Sequence, residues 1–171
     1  MREDFYIREV CESELEKCAE VIRQSFLTVA KQFGLTEQNC PKHRAFIKTE
    51  RLVSEKNFGI MQFGLFITNK TKNGDVIIGF AALQKLEENI YELKMLSVLP
   101  EFRHNGYGHA LVDFAKCKVK ELYGQKITIG IVEENEILKN WYISNGFTQT
   151  GTKFFPDNPK PFTVGFMEAI I

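Results

Sequence analysis

The stretch Val98-Leu99-Pro100-Glu101-Phe102-Arg103-His104-Asn105-Gly106-Tyr107-Gly108 carries the residue types that hold an anion. Pro100 closes a strand that begins near Ile90, and Gly106 and Gly108 flank the start of a helix. Glycine relieves crowding and permits positive φ, so successive backbone N–H groups can converge on one point. The helix that follows adds unpaired N–H groups and the positive end of its dipole. Arg103 adds a full charge. A diphosphate suits such a cradle, whereas two glycines alone also fit a tight turn with no ligand. Leu111 rules out a dinucleotide G-x-G-x-x-G fingerprint, and no Gly-Lys-Ser/Thr follows to make a Walker A loop.

The elements that must position this turn are legible as patterns. Phe5 to Val10 reads as a first strand. Ser13 with Glu16 is a capping-box signature, and Leu15, Cys18, Ala19, Ile22, Phe26, Val29, Ala30 and Phe33 recur at helical spacing up to Gly34. A second helix is predicted over His43 to Glu55, with Phe46, Ile47 and Leu52 inward. The loop Thr36 to Lys42, with Pro41, is either a cover over a substrate site or a plain connector. Strands are predicted at Ile60 to Ile67, Val76 to Leu83 and Ile90 to Val98, separated by turns at Asn73-Gly74 and Glu87-Glu88-Asn89. These read as an antiparallel meander. Tyr107 to Leu122 is a predicted helix with Leu111, Phe114, Ala115, Val119 and Leu122 on one face. Lys126 to Val132 alternates as a strand. Asn135 to Asn145 is a short helix, with Ile137, Leu138, Trp141 and Tyr142 near one face and Gly146 as its stop. Strands at Phe147 to Phe155 and Phe162 to Ile170 follow, joined by a loop with Pro156, Pro159 and Pro161. The order β-α-α-β-β-β-α-β-α-β-β predicts one mixed sheet with helices on both faces, in a single domain spanning residues 1–171.

Composition narrows the class. The chain has 171 residues, 44% of them hydrophobic, which suits one compact domain with a substantial core. Its 22 basic and 22 acidic residues cancel, so no global field favours nucleic acid, and no basic aromatic stripe is present. The opening MREDFYIREV does not read as a signal peptide, and no apolar run is long enough to span a bilayer. Cys11, Cys18, Cys40 and Cys117 form no C-x-x-C pair, and only three histidines are present, so neither a metal site nor a disulfide framework is expected. A reducing, cytoplasmic setting is the expectation.

Pro100, Arg103, Gly106 and Gly108 resemble the V-x-P-x-x-R-x-x-G-x-G signature of the GNAT acetyltransferase superfamily. Asn135, Tyr142 and Gly146-Phe147 resemble the family's second motif, an asparagine after the next strand and a short tyrosine-bearing helix that ends in G-F. The element order is similar across nearly the whole chain. His104 departs from the glycine that commonly follows the arginine. The resemblance implies an α/β fold with a mixed, mainly antiparallel central sheet flanked by helices. It also implies an N-acetyltransferase that uses acetyl-CoA and acts directly on an amine in a ternary complex. A non-catalytic coenzyme A-binding or regulatory module on the same fold is the competing class.

The resemblance also implies roles. Backbone groups of Met95, Leu96, Ser97 and Val98 would pair with the pantetheine arm in a splay of the sheet. N–H groups of His104, Asn105, Gly106, Tyr107, Gly108 and His109 would receive the pyrophosphate. Arg103 either salt-bridges that group or orders the turn. Asn135 hydrogen-bonds the cofactor arm, caps a helix, or does both. Tyr142 is the family's general acid toward the departing thiolate, or packs beside Trp141 as core. The base that deprotonates the amine is expected at Glu92, placed by strand periodicity on one face with Lys94, Leu96 and Val98; a plain Glu92–Lys94 surface pair is the alternative. Glu50, Glu55 and Glu133 are further carboxylates to weigh. Ser97 reads as small packing, and the cysteines as unsuited to nucleophilic work. His104 and His109 flank the turn, and His43 caps the second helix or faces solvent. Acceptor choice in this fold rests on segments that here are Phe26 to Arg51 and Phe147 to Phe162; a small-molecule amine or a peptide is expected. The strand Phe162 to Ile170 is expected at the sheet edge, where it would pair two copies into a homodimer.

Overall fold

The computed structural model describes residues 4–68, 74–156 and 161–171. Asn73 of the first turn and Pro159 of the last loop lie outside the described residues. Strands are β1 (Phe5–Glu9), β2 (Met61–Ile67), β3 (Val76–Glu87), β4 (Ile90–Val98), β5 (Lys126–Val132), β6 (Thr148–Phe155) and β7 (Phe162–Ile170). Helices are α1 (Leu15–Gln32), α2 (Thr49–Asn57), α3 (Tyr107–Glu121) and α4 (Glu136–Ser144). The strands form one seven-stranded sheet in the order β1-β2-β3-β4-β5-β7-β6. Every neighbouring pair is antiparallel except β4 with β5.

Alternation along the strands feeds two cores. Leu111, Val112, Ala115 and Val119 of α3 bury against Leu65, Ile78, Leu83, Leu93, Ile127 and Ile129, with Tyr142 of α4 in the same cluster. Leu15, Cys18, Ala19 and Ile22 of α1 and Leu52 of α2 bury against Phe66, Phe80, Ala82 and Met95 on the opposite face. Each fully buried aliphatic side chain contributes about 1.5–3 kcal/mol. No helix among the described residues is long and apolar enough to cross a membrane.

Several expectations change. The strand Phe162–Ile170 is interior, flanked by β5 and β6; the sheet edge on that side is β6. Sequence order suggests the last strand as the edge, but the chain crosses over and inserts it. The predicted helix over His43–Glu55 breaks into a 3-10 turn at Arg44–Phe46 and α2. Arg23 of α1 takes the Ile47 carbonyl at 3.0 Å, and the backbone there is extended (ψ 137°). The capping residues at the first helix sit earlier than Ser13 and Glu16: the Glu14 carboxylate accepts the Cys11 N–H at 3.0 Å and is gripped by Arg8 at 2.7 and 2.9 Å. Leu122 and Ile137, expected inward, are exposed, because they fall at the end of α3 and in the first turn of α4.

Candidate functional site

The parallel pair β4–β5 holds together over only three residue pairs, Ile90–Lys126, Tyr91–Ile127 and Glu92–Thr128. Beyond Glu92 the strands part. The cause lies at Met95, whose backbone is left-handed (φ 53°). There the register against β3 jumps from Ala82–Lys94 to Phe80–Ser97, a bulge that bends β4. Ser97 is buried and its hydroxyl donates to the Met95 carbonyl at 2.8 Å, consistent with a small packing role. The bulge also splits the predicted face. Tyr91 and Leu93 join the α3 core, so Glu92 and Lys94 lie on the α1/α2 side, while Leu96 and Val98 pack on the α3 side. Simple alternation fails because one extra residue is inserted between Lys94 and Leu96.

After β4 the chain makes a 3-10 turn at Pro100–Phe102 and reaches α3 through His104 (φ 62°) and Gly106 (φ 80°). The Asn105 amide nitrogen donates to the carbonyls of Phe102 (3.3 Å) and Arg103 (3.0 Å), bracing the turn. The first backbone bond across the start of α3 is Ala110 N–H to Gly106 C=O at 3.0 Å. Among the described residues, the N–H groups of His104, Asn105, Gly106, Gly108 and His109 have no acceptor. They gather at a helix start, which is the arrangement an anion completes. Gly108 serves packing as well, since a Cβ there would stand 3.1 Å from Trp141 Cζ2. Tyr107 is buried, its ring edge-on to Phe5 at 5.4 Å.

Arg103 is engaged within the fold. Its Nε donates to the Val98 carbonyl (3.2 Å), Nη1 to Thr28 Oγ1 (3.1 Å), and Nη2 to the Ser25 carbonyl (2.8 Å) and hydroxyl (3.2 Å). Through these four contacts the guanidinium straps the turn to α1. His109 is held sideways: its Nδ1 meets Asn145 Oδ1 at 2.7 Å, and its ring stands 5.3 Å from Trp141. The His104 side chain is exposed.

Asn135 is buried and caps α4, its Oδ1 accepting the Leu138 N–H at 3.2 Å. Its amide nitrogen makes no hydrogen bond among the described residues, so a second role stays open to it. Tyr142, 6% exposed, packs edge-on to Trp141 (4.9 Å) and Phe147 (5.3 Å). Its hydroxyl has no hydrogen-bond partner among the described residues. Burial pushes the phenol pKa well up, which keeps it protonated at neutral pH. The helix is stopped by Gly146 (φ 85°) and the Phe147 N–H to Tyr142 C=O bond at 3.1 Å.

The carboxylates separate sharply. Lys94 turns away from Glu92, to Gln84 Oε1 (3.0 Å) and Glu55 Oε1 (3.5 Å), so the alternative reading of a Glu92–Lys94 surface pair does not hold. Glu55 is shared between Lys94 and Arg51 (3.1 Å). Glu133 is bonded by Lys139 (2.5 Å) and Gln149 (2.8 Å), which hold its carboxyl below the usual range. Glu50 is exposed on α2. Glu92 is half-buried, opposite Gln84 and Thr128, with no ion pair or side-chain hydrogen bond among the described residues. Arg44, not singled out by its sequence context, is half-buried and feels the charges of Glu55 and Glu92. Cys18 is inert, its thiol pushed up to about 12 chiefly by burial.

His43 caps the 3-10 turn, its Nδ1 accepting the Ala45 N–H at 3.2 Å, with Phe26 and Phe46 ring centroids at 5.9 and 6.2 Å. Burial lowers its pKa, so it is neutral at pH 7, and the bond to Nδ1 places the proton on Nε2. It borders a cavity of about 240 Å³ between the end of α1, the end of β5 and the start of β7.

Known proteins bear on this geometry. The profile described as "Acetyltransferase (GNAT) domain" matches residues 64–149, which include β4, the turn and α4. An uncharacterized N-acetyltransferase from the pepI 3′ region of Lactobacillus delbrueckii subsp. lactis is 27% identical over 157 residues, covering 87% of each chain. The ribosomal-protein-S18-alanine N-acetyltransferase of Escherichia coli superposes with a TM-score of 0.73 at 16% identity, over 98% of this chain and 94% of that one. The PaiA N-acetyltransferase of Thermoplasma acidophilum, solved in complex with coenzyme A, superposes with a TM-score of 0.72 at 22% identity, over 98% and 99%. The mixed sheet and flanking helices are thus a fold shared with these acetyltransferases.

Proposed function

This chain belongs to the GNAT acetyltransferase superfamily, and on that premise we propose that it transfers an acetyl group from acetyl-CoA directly to the amine of a small molecule or peptide in a ternary complex. The observation that carries the reading is the pairing of five unpartnered N–H groups at the start of α3 with the parted strands β4 and β5. A pyrophosphate fits the first and an extended amide-bearing arm fits the second. That a structural relative holds coenzyme A supports the same reading.

In this reading the backbone from His104 to His109 binds the pyrophosphate, and Met95 to Val98 with the Asn135 amide nitrogen orient the arm. Arg103 acts one step back, as the residue that positions the turn against Ser25 and Thr28. When bound, acetyl-CoA supplies an activated thioester. The unpaired Glu92 carboxylate takes a proton from the acceptor's ammonium, directly or through water, which frees the nitrogen lone pair that attacks the thioester carbonyl. The Tyr142 hydroxyl, neutral and without a partner, donates to the departing sulfur. No enzyme nucleophile is required. An unengaged acid and an unengaged base favour catalysis over a merely coenzyme-binding module. A homodimer built by edge pairing uses β6, whose residues are exposed along nearly the whole strand.

Thiol release from acetyl-CoA across a panel of amines, with acetylated product identified by mass, tests the reading. Product with at least one amine is expected; tight coenzyme A binding with no acetylated product from any amine would overturn it in favour of the module.

A further inference from the structure

The α1/α2 side of the sheet carries a continuous track. Ile127, Ile129 and Ile131 of β5 and Met167 and Ala169 of β7 are in the α3 core, so Thr128, Gly130, Val132, Phe162, Val164 and Phe166 present to the other side, with Glu168, paired to Lys126 at 2.9 Å, opposite Thr128. Glu92 stands at one end of this track, opposite Thr128. Gly130, in the middle, is exposed, and a Cβ there would come 3.2 Å from Val164 Cγ1. Lacking that atom, position 130 leaves backbone exposed between Glu92 and Val132, with the Val164 and Phe166 side chains beside it. At the far end Val132 opens into the cavity of about 240 Å³, walled by Phe33, Leu35, Phe162 and the neutral ring of His43.

The length of the track is set by the strand. Four residues at about 3.3 Å each separate Thr128 from Val132, about 13 Å in all. A nitrogen within hydrogen-bond reach of Glu92 lies about 3 Å along that path, leaving about 10 Å to the cavity. The cavity walls are mostly apolar, Phe33, Leu35, Val132, Pro161 and Phe162 among them; the exposed Glu134 is the one acidic residue in the lining, and the His43 N–H adds no charge.

We propose that the acceptor is a primary amine carrying an apolar group about 10 Å from the nitrogen, with the amine at Glu92 and the apolar group in the Phe33–Leu35–Val132–Phe162 cavity. This rests on the reading of Glu92 as the base. Two sources share the chemistry. One is a peptide N-terminus whose third residue is apolar, since extended residues span about 3.3–3.6 Å each and residues one and three share a face. The other is a free amine with an apolar group on a long chain.

The test uses the full chain and acetyl-CoA, with two acceptor series. In one, a single phenylalanine moves through the first four positions of a glycine-serine peptide. In the other, phenylalkylamines lengthen one methylene at a time. A peak in kcat/KM is expected at the third position of the peptides, at a long spacer of the amines, or in both, and the series that peaks names the source. The peak stands at least about tenfold above its neighbours, as burying a phenyl group allows. Leu35→Trp, which fills the cavity, removes the peak while coenzyme A affinity holds. Phe162→Ala, which enlarges it, moves the optimum to a bulkier group. Turnover with a flat profile in both series, or a peak untouched by both variants, overturns this inference and leaves the acetyltransferase reading standing. Failure to acetylate any amine overturns both.

Discussion

The Val98–Gly108 turn and the α1/α2 side of the sheet are built on opposite terms. Around Val98–Gly108 three polar side chains are occupied within the fold: Arg103 with Val98, Ser25 and Thr28, Asn105 with the turn's carbonyls, His109 with Asn145. What is left over there is backbone N–H. On the α1/α2 side Glu92 is unengaged, Gly130 leaves a gap, and a cavity stands open. One region offers main chain held rigidly by side chains. The other offers side chains held by main chain. A rigid backbone cradle suits a ligand that never varies, and free side chains suit a partner that differs between relatives.

The sharpest way to break this comparison is to remove the free groups. Glu92→Gln is expected to lower kcat/KM at neutral pH by about 10³-fold, and Tyr142→Phe to lower kcat by about 10²-fold. Coenzyme A affinity, measured by calorimetry, should stay within a few-fold in both. Unchanged turnover in either variant would return that residue to plain packing.

Arg103→Met probes the other side of the contrast. Loss of hydrogen bonds from a charged group should lower unfolding stability by about 1.5–3 kcal/mol, whether or not coenzyme A is present. A residue that touched the pyrophosphate would instead leave the free protein untouched and weaken only the complex. Denaturant melts with and without ligand separate the two. His104→Gly should raise stability by about 0.5–1 kcal/mol, because glycine accepts the left-handed backbone that histidine holds at φ 62°. A drop in the melting midpoint would show that the histidine side chain matters to the turn.

The smallest effect belongs to His43. Burial holds its pKa below 6.5 in the folded chain, so the unfolded chain takes up the proton first as pH falls. Stability therefore declines below about pH 7 on account of this residue, and the decline ends at its folded pKa. His43→Gln should flatten that part of the stability–pH curve and leave the region above about pH 7.5 unchanged. An equal slope in both proteins would assign the acid sensitivity elsewhere.

Much of the turn's conformation was legible because its requirements are local. Gly106 and Gly108, Pro100 at the strand end, the Asn135 cap and the Gly146 stop each act within a few residues, and β4, β5 and β7 begin and end where alternation predicts. What was not legible depends on distant partners. Arg103 is committed by Ser25 and Thr28, which lie on a helix far away in the chain. The break at Ile47 depends on Arg23. The Met95 bulge carries no glycine to announce it, and it overturns the common face assigned to Glu92 and Val98. The interior place of β7 follows from pairing with β5, which alternation within one strand does not reveal. The track to the cavity joins β4, β5, β7 and the end of α1, so only the assembled fold displays it.

Trp141 is the only tryptophan in the chain, and it lies against the start of α3, 3.1 Å from where a Cβ on Gly108 would stand. Tyr142 and His109 flank its ring at 4.9 and 5.3 Å. The protein therefore carries its own optical label beside the Val98–Gly108 turn and none beside the cavity near Phe162. Its indole emission, excited selectively, follows events at the turn and is blind to the cavity, so in the proposed ternary mechanism the order in which two substrates arrive can be timed without attaching a dye.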